Sequence, residues 1–135
     1  METVTTRREQ AEAWLAAFAA AVRERDYERG QSMFDADATG FGTVSTRYEG
    51  VDQLEHGQWR EVWERTEGFT FDLDSATFRV DGNLVVALSE WTSTGRDVGG
   101  SARPRRGRAT IVLIGTDDEM RAVHTHFSMA PGFES

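Results

Sequence analysis

Three groups of residues have the types and spacing to do chemistry: a carboxylate at Glu90, a pair of histidines at His124 and His126, and the arginines Arg103, Arg105, Arg106 and Arg108. Glu90 ends the run Leu84-Val85-Val86-Ala87-Leu88-Ser89-Glu90 and shares period-2 parity with Leu84, Val86 and Leu88. If that face lines a cavity, the carboxyl is desolvated, its pKa rises, and it suits general acid/base catalysis. The competing role is a structural ion pair with Arg108 or another arginine of the same sheet, which perturbs a pKa equally well.

His124 and His126 lie two apart on a strand, so their side chains share a face roughly 7 Å apart. An H-x-H pair can supply two metal ligands. No third ligand, His56 included, has convincing spacing, and neither a metal nor another cofactor is expected. A subunit interface or a hydrogen-bonded core position is the other role, and histidine titration would make such an interface pH-sensitive. The arginine cluster is either a solvated loop or a means of holding a carboxylate or phosphate at a cavity mouth, for which the guanidinium fork is suited. No G-x-S-x-G, phosphate loop or dinucleotide fingerprint is present.

The elements that must position these groups follow from periodicity. Thr6-x-x-Glu9 has capping-box spacing, and Trp14, Phe18 and Val22 recur at i, i+4, i+8, which predicts an amphipathic helix over about 6–25. Asp26 can cap a short second helix with Tyr27, Met33 and Phe34 inward and an end at 35–39. Residues 40–44 suggest a short strand. A helix over about 51–65 puts Trp59 and Trp63 on one face.

Residues 69–80 alternate as a strand with a parity shift near Ser75-Ala76 that suggests a bulge. A turn at Asp81-Gly82-Asn83 leads to a strand over 84–94, and residues 95–107 read as a mobile Gly- and Arg-rich connection. The last hairpin, 107–131, turns about Asp117-Asp118. That pairing sets Ile114 opposite Arg121, Val112 opposite Val123, Thr110 opposite Thr125 and Arg108 opposite Phe127, all on one face. Ala109, Ile111, Leu113, Ala122, His124 and His126 then share the other. Helices ahead of an antiparallel meander give an α+β domain with helices covering one face of a curved sheet.

Bulk numbers narrow the function classes. One domain of 135 residues with 39% hydrophobic and 28% charged content is ordinary for a soluble protein. A net charge of -8 argues against nucleic acid as a partner. No run approaches the ~18 apolar residues of a membrane span, so no membrane partner is expected. Ala11 to Val22 is interrupted by Glu12, so no cleavable signal pattern is evident, and the absence of cysteine leaves cytoplasm as the default expectation. All 15 basic residues are arginine.

The element order and three stretches resemble the SnoaL-like branch of the nuclear transport factor 2-like superfamily. The stretches are D-Y-E-R-G-Q-S-M-F-D-A-D-A-T ending at Thr39, Gly50-Val51-Asp52 opening the helix that carries Trp59, and Arg108-x-Thr110 leading to Val123-His124-Thr125-His126-Phe127-Ser128. The last is also similar to the end of the calcium/calmodulin-dependent kinase association domain. Met120 departs from the branch, which usually has Trp there.

The resemblance implies a cone-shaped barrel, in which a mainly antiparallel sheet wraps around the N-terminal helices and leaves a deep pocket. It also implies a homodimer or larger assembly through the outer sheet face. The superfamily spans ketosteroid isomerase, polyketide cyclases, dehydratases and binding modules, so fold does not give function. The isomerase uses a carboxylate base with an oxyanion hole of Tyr and protonated Asp. Alignment on Phe34-x-x-Asp37-Ala38-Thr39 puts the base at Gly42, the Tyr at Phe18 and the second acid near Thr110, so steroid isomerisation is not expected.

The expected pocket has Trp14, Phe18, Phe34, Phe41, Trp59 and Trp63 on its helix side and Arg108, Thr110, Thr125 and Phe127 on its sheet side. The expected function is a non-catalytic module that binds a small apolar or carboxylate-bearing ligand or serves assembly. The alternative is a cyclase, isomerase or dehydratase with Glu90 as acid/base and Arg108 or Thr110 orienting the substrate.

Overall fold

The Thr6 hydroxyl accepts a hydrogen bond from the Glu9 backbone N–H, and the Glu9 carboxylate accepts one from the Thr6 N–H, so the expected capping box starts helix α1 (Arg7–Glu24). The computed structural model describes residues 5–117 and 119–133. Asp118, half of the expected final turn, lies outside the described residues. Asp26 caps α2 (Tyr27–Ser32) through the Arg29 N–H.

The chain then becomes strand β1 (Phe34–Phe41), so residues 35–39 continue in extended form where a helix end was expected. A two-residue β2 (Tyr48–Glu49) precedes α3 (Val51–Leu54) and α4 (Arg60–Trp63), which are joined by a π-helical turn, Glu55–Trp59. Gly57 sits in that turn, where the wider i→i+5 spacing interrupts the expected continuous helix. The turn brings Glu55 against Arg60, five residues on, at 2.6 Å.

β3 (Thr66–Phe71) and β4 (Thr77–Asp81) are separated by a 3₁₀ turn, Leu73–Ser75, which produces the parity shift expected near Ser75. β5 (Leu84–Arg96) is long enough to pair with β4 through its first half and with β3 through its second. β6 (Ala102–Gly115) begins five residues earlier than expected, so the Arg-rich segment is strand and not loop. β7 (Met120–Met129) closes the last hairpin. The sheet order is β2-β1-β7-β6-β5-β3, with β4 beside β5. Every pairing is antiparallel except β1 with β7. The sheet is curved but not closed, which makes the expected barrel an open one.

Register decides which face is inside. β6 and β7 pair in the expected register at Ile114 with Arg121 and at Leu113 with Ala122, but Val112 then meets His124, leaving Val123 as a bulge. One extra residue reverses the faces beyond it. Thr125 now lies opposite Ile111, and Phe127 opposite Ala109, on the buried side. Arg108, Thr110, Val112 and Ile114 fall on the outer side with His124 and His126.

The core sits between α1 and the inner face. Leu15, Leu54, Val85 and Leu113 are fully buried there. Burying a side chain of this size contributes about 1.5–3 kcal/mol. No helix among the described residues is long and apolar enough to cross a membrane.

Candidate functional site

The aromatic residues of α1, the π turn, α4 and the sheet do not close completely on one another. They enclose a cavity of about 50 Å³ whose wall includes Phe18, Trp59, Trp63, Phe69, Trp91 and Phe127. Trp59 and Trp63, four residues apart, stack at 4.7 Å with an interplanar angle of 13°. Phe18 meets Trp63 edge-on at 5.7 Å and Phe127 at 6.4 Å, so α1 and β7 close two sides of the space. The polar members of the wall are Thr43, Gln58, Thr66, Ser93 and Arg105. A second, wider cleft of about 280 Å³ adjoins it and shares Thr43, Val62 and Arg105 as common wall. That cleft is polar: it carries Arg65, Arg96 and Arg103 together with Glu61 and Asp97.

Arg105 is where the two spaces meet. It faces Ser93 directly across the β5–β6 ladder. Ser93 Oγ and Arg105 Nε are both buried and have no hydrogen-bond partner. Such orphaned groups cost on the order of 1–3 kcal/mol each, so they call for an explanation. Arg105 reaches only the Met129 sulfur, at 3.6 Å through Nη2, and makes no ion pair among the described residues. Burial, and secondarily the nearby Arg103, push its pKa down from the usual arginine value. Its stem lies across Gly95, where an added Cβ would collide with the Arg105 Cδ.

Of the residues expected to line a pocket, Phe18, Trp59, Trp63 and Phe127 border the cavity. Trp14 and Phe34 are buried behind it, packed on one another at 5.7 Å, and Thr125 is 1% exposed in the core. Phe41 corrects the expected pocket: it stands on the other side of the sheet, edge-on to His124 at 4.8 Å and His126 at 5.4 Å. Arg108 and Thr110 likewise stand outside, because Ala109, Ile111 and Leu113 form the buried face of β6, and Arg108 Nε donates to Ser128 Oγ at 3.2 Å.

Glu90 faces outward too, and pairs with Arg106 at 3.1 Å with both side chains about half exposed (47% and 54%). The ion-pair alternative therefore describes its surroundings, with Arg106 in place of Arg108.

His124 and His126 share a face as expected. His124 Nδ1 lies 2.7 Å from Thr39 Oγ1. Desolvation, then the neighbouring His126, hold the His124 pKa below the ordinary histidine value. Among the described residues no group of three or more His, Asp or Glu is placed to hold a metal ion.

The position aligned with an isomerase base, Gly42, lies against the Gln58 carboxamide, and any Cβ there would collide with it. Gln58, Phe69, Trp91 and Ser93 were not anticipated as wall residues. For β5 the signal was present: Val85, Ala87, Ser89, Trp91 and Ser93 form one parity set, and they are the buried one. The bulkier set Leu84, Val86 and Leu88 drew the face assignment the wrong way.

Comparison with known proteins places this geometry in context. A family model for the SnoaL-like domain matches residues 11–131. A candidate calcium/calmodulin-dependent protein kinase II association domain from Xanthomonas campestris is similar, at 19% identity, with 92% of this chain and 88% of that one covered and a TM-score of 0.79. A nuclear transport factor 2-like superfamily protein from Salmonella enterica is 18% identical over 96% of this chain and 98% of that one, also with a TM-score of 0.79. A ketosteroid isomerase-like protein from Erwinia carotovora is 14% identical over 95% of this chain and 100% of that one, with a TM-score of 0.78. No curated protein matches the chain. At these identities the solved structures speak to the fold alone.

Proposed function

This chain belongs to the SnoaL-like domain family, and within that fold we propose that it binds a small, largely apolar organic molecule in the aromatic cavity without converting it. The observation that carries this reading is the composition of the wall. It is dominated by aromatic rings, and Arg105 is the one ionisable side chain in it. General acid/base catalysis needs a group that exchanges a proton near the working pH, and arginine stays protonated. The catalytic alternative rested on Glu90, which is half exposed and ion-paired on the opposite face.

Toluene tests the reading. A bound ligand stabilises the folded state by mass action, so saturating toluene should raise the melting temperature of the protein. It should not do so in a Val62→Phe variant, whose larger side chain occupies the wall shared by cavity and cleft. No stabilisation of the parent protein, or turnover of any bound compound that depends on Glu90, would contradict the proposal.

A second copy of this chain is the proposed partner on the outer sheet face. The support is the apolar surface left there: Leu84, Leu88 and Ile114 are 37–41% exposed, and Leu84 stands directly opposite Ile114.

A further inference from the structure

We propose that Ser93 and Arg105 form a carboxylate anchor, so that the ligand is a small monocarboxylic acid with its apolar body among the tryptophans. This rests on the binding function proposed above and specifies its ligand. Four features of the wall carry it. Ser93 is 9% exposed, its hydroxyl is unpartnered, and it borders the cavity. Arg105 brings a second unpartnered donor, Nε–H, from the facing position on the next strand. Gly95 supplies the clearance that lets the arginine stem lie against the sheet. No carboxylate among the described residues pairs with Arg105, whereas Arg96 has Glu67 at 3.1 Å and Arg106 has Glu90.

Arg105 is only partly buried, but its Nε–H is shut away from water without a partner, which is costly unless a ligand supplies an acceptor. Two donors from facing positions on one wall match in number the two oxygens of a carboxylate. A phosphate dianion fits less well, because it has more acceptors than the Ser93 hydroxyl and the Arg105 Nε–H can satisfy. The apolar body of the acid would then point away from the cleft, toward Trp59, Trp63 and Trp91.

These three tryptophans make binding directly readable by intrinsic fluorescence. Benzoate and toluene would be titrated into the parent protein, an Arg105→Met variant that keeps most of the apolar stem, and a Ser93→Ala variant. Melting curves would establish that both variants fold. The expected result is saturable benzoate binding that weakens by about ten- to a hundredfold in Arg105→Met, the range set by losing a charge-assisted hydrogen bond, and by less in Ser93→Ala. Toluene affinity should stay within about twofold across all three.

Benzoate affinity unchanged in both folded variants would overturn the anchor while leaving the cavity as an apolar binding site. Binding of toluene but not benzoate would do the same. Binding of neither probe would overturn the anchor together with the ligand-binding function beneath it.

Discussion

Ser93 and Arg105 stand opposite one another on β5 and β6, and each holds a buried side-chain atom with no hydrogen-bond partner. Elsewhere among the described residues inner side-chain polar groups find partners: Thr66 Oγ1 donates to the Val62 carbonyl at 2.6 Å, and the Trp14 indole to the Met33 carbonyl at 3.1 Å. The exceptions coincide with a cavity and with the one arginine in its wall. That coincidence, more than the cavity's size, supports the proposed binding site over a packing defect.

Glu90→Gln should leave toluene and benzoate binding unchanged. Its ion pair with Arg106 is half exposed, and such pairs contribute about 0–1 kcal/mol. Chemical denaturation should therefore show a loss of no more than about 1 kcal/mol. A larger loss, or altered ligand affinity, would mean that Glu90 reaches the inner face.

Phe18→Ala should destabilise the protein by about 3–5 kcal/mol, the usual cost of removing a buried phenylalanine. Phe18 is 2% exposed and lies within 6.4 Å of Trp14, Phe34, Trp59, Trp63 and Phe127. Urea denaturation measures this. A loss below about 1 kcal/mol would show that α1 does not close the cavity as described.

Stability should fall as pH drops below about 6.5. His124 has a lowered folded-state pKa, chiefly through desolvation and then through His126, with Arg47 adding to the shift and the Thr39 contact opposing it. In the unfolded chain the imidazole takes its proton near pH 6.5, whereas the folded protein resists it until lower pH. The unfolded state thus binds more protons in that window, so stability rises with pH there and is lost on acidification. Melting curves between pH 5 and 7.5 should show the slope in the parent protein and a shallower one in His124→Gln. An equal slope in both would assign the effect to other groups.

Leu88→Glu should convert the proposed homodimer to a monomer, because it places a charge amid the exposed apolar surface of the outer sheet face. Light scattering coupled to size exclusion reads the mass. A parent protein that is already monomeric would contradict the proposed pairing of copies.

Much of the architecture was legible in the chain because local signals agreed with the global fold. The Thr6–Glu9 capping box, the Asp26 cap and the Trp14-Phe18-Val22 stripe each fix an element by themselves. The site was less legible because it depends on a single residue of register. Met120, Ala122, Thr125 and Phe127 face inward only if one residue between Ala122 and Thr125 is left unpaired, and nothing about Val123 as a residue type announces a bulge. The same lack of local signal hid most of β1, of which only Gly40 and Phe41 fall within the strand expected over 40–44, and whose parallel partner β7 lies some eighty residues away. On β5 the outer face is the bulkier of the two apolar sets, so hydrophobicity alone favoured the wrong one.

The most direct test of the proposed binding site is a toluene titration followed by the backbone amide signals and the indole N–H signals of the four tryptophans in nitrogen-15-labelled protein. Trp59, Trp63 and Trp91 border the cavity, while Trp14 is buried behind it with its N–H held by Met33. The structure predicts saturable shifts of the first three signals, with Trp14 nearly unmoved. Shifts of all four together, or shifts confined to Leu84, Leu88 and Ile114 on the outer sheet face, would contradict binding in the cavity.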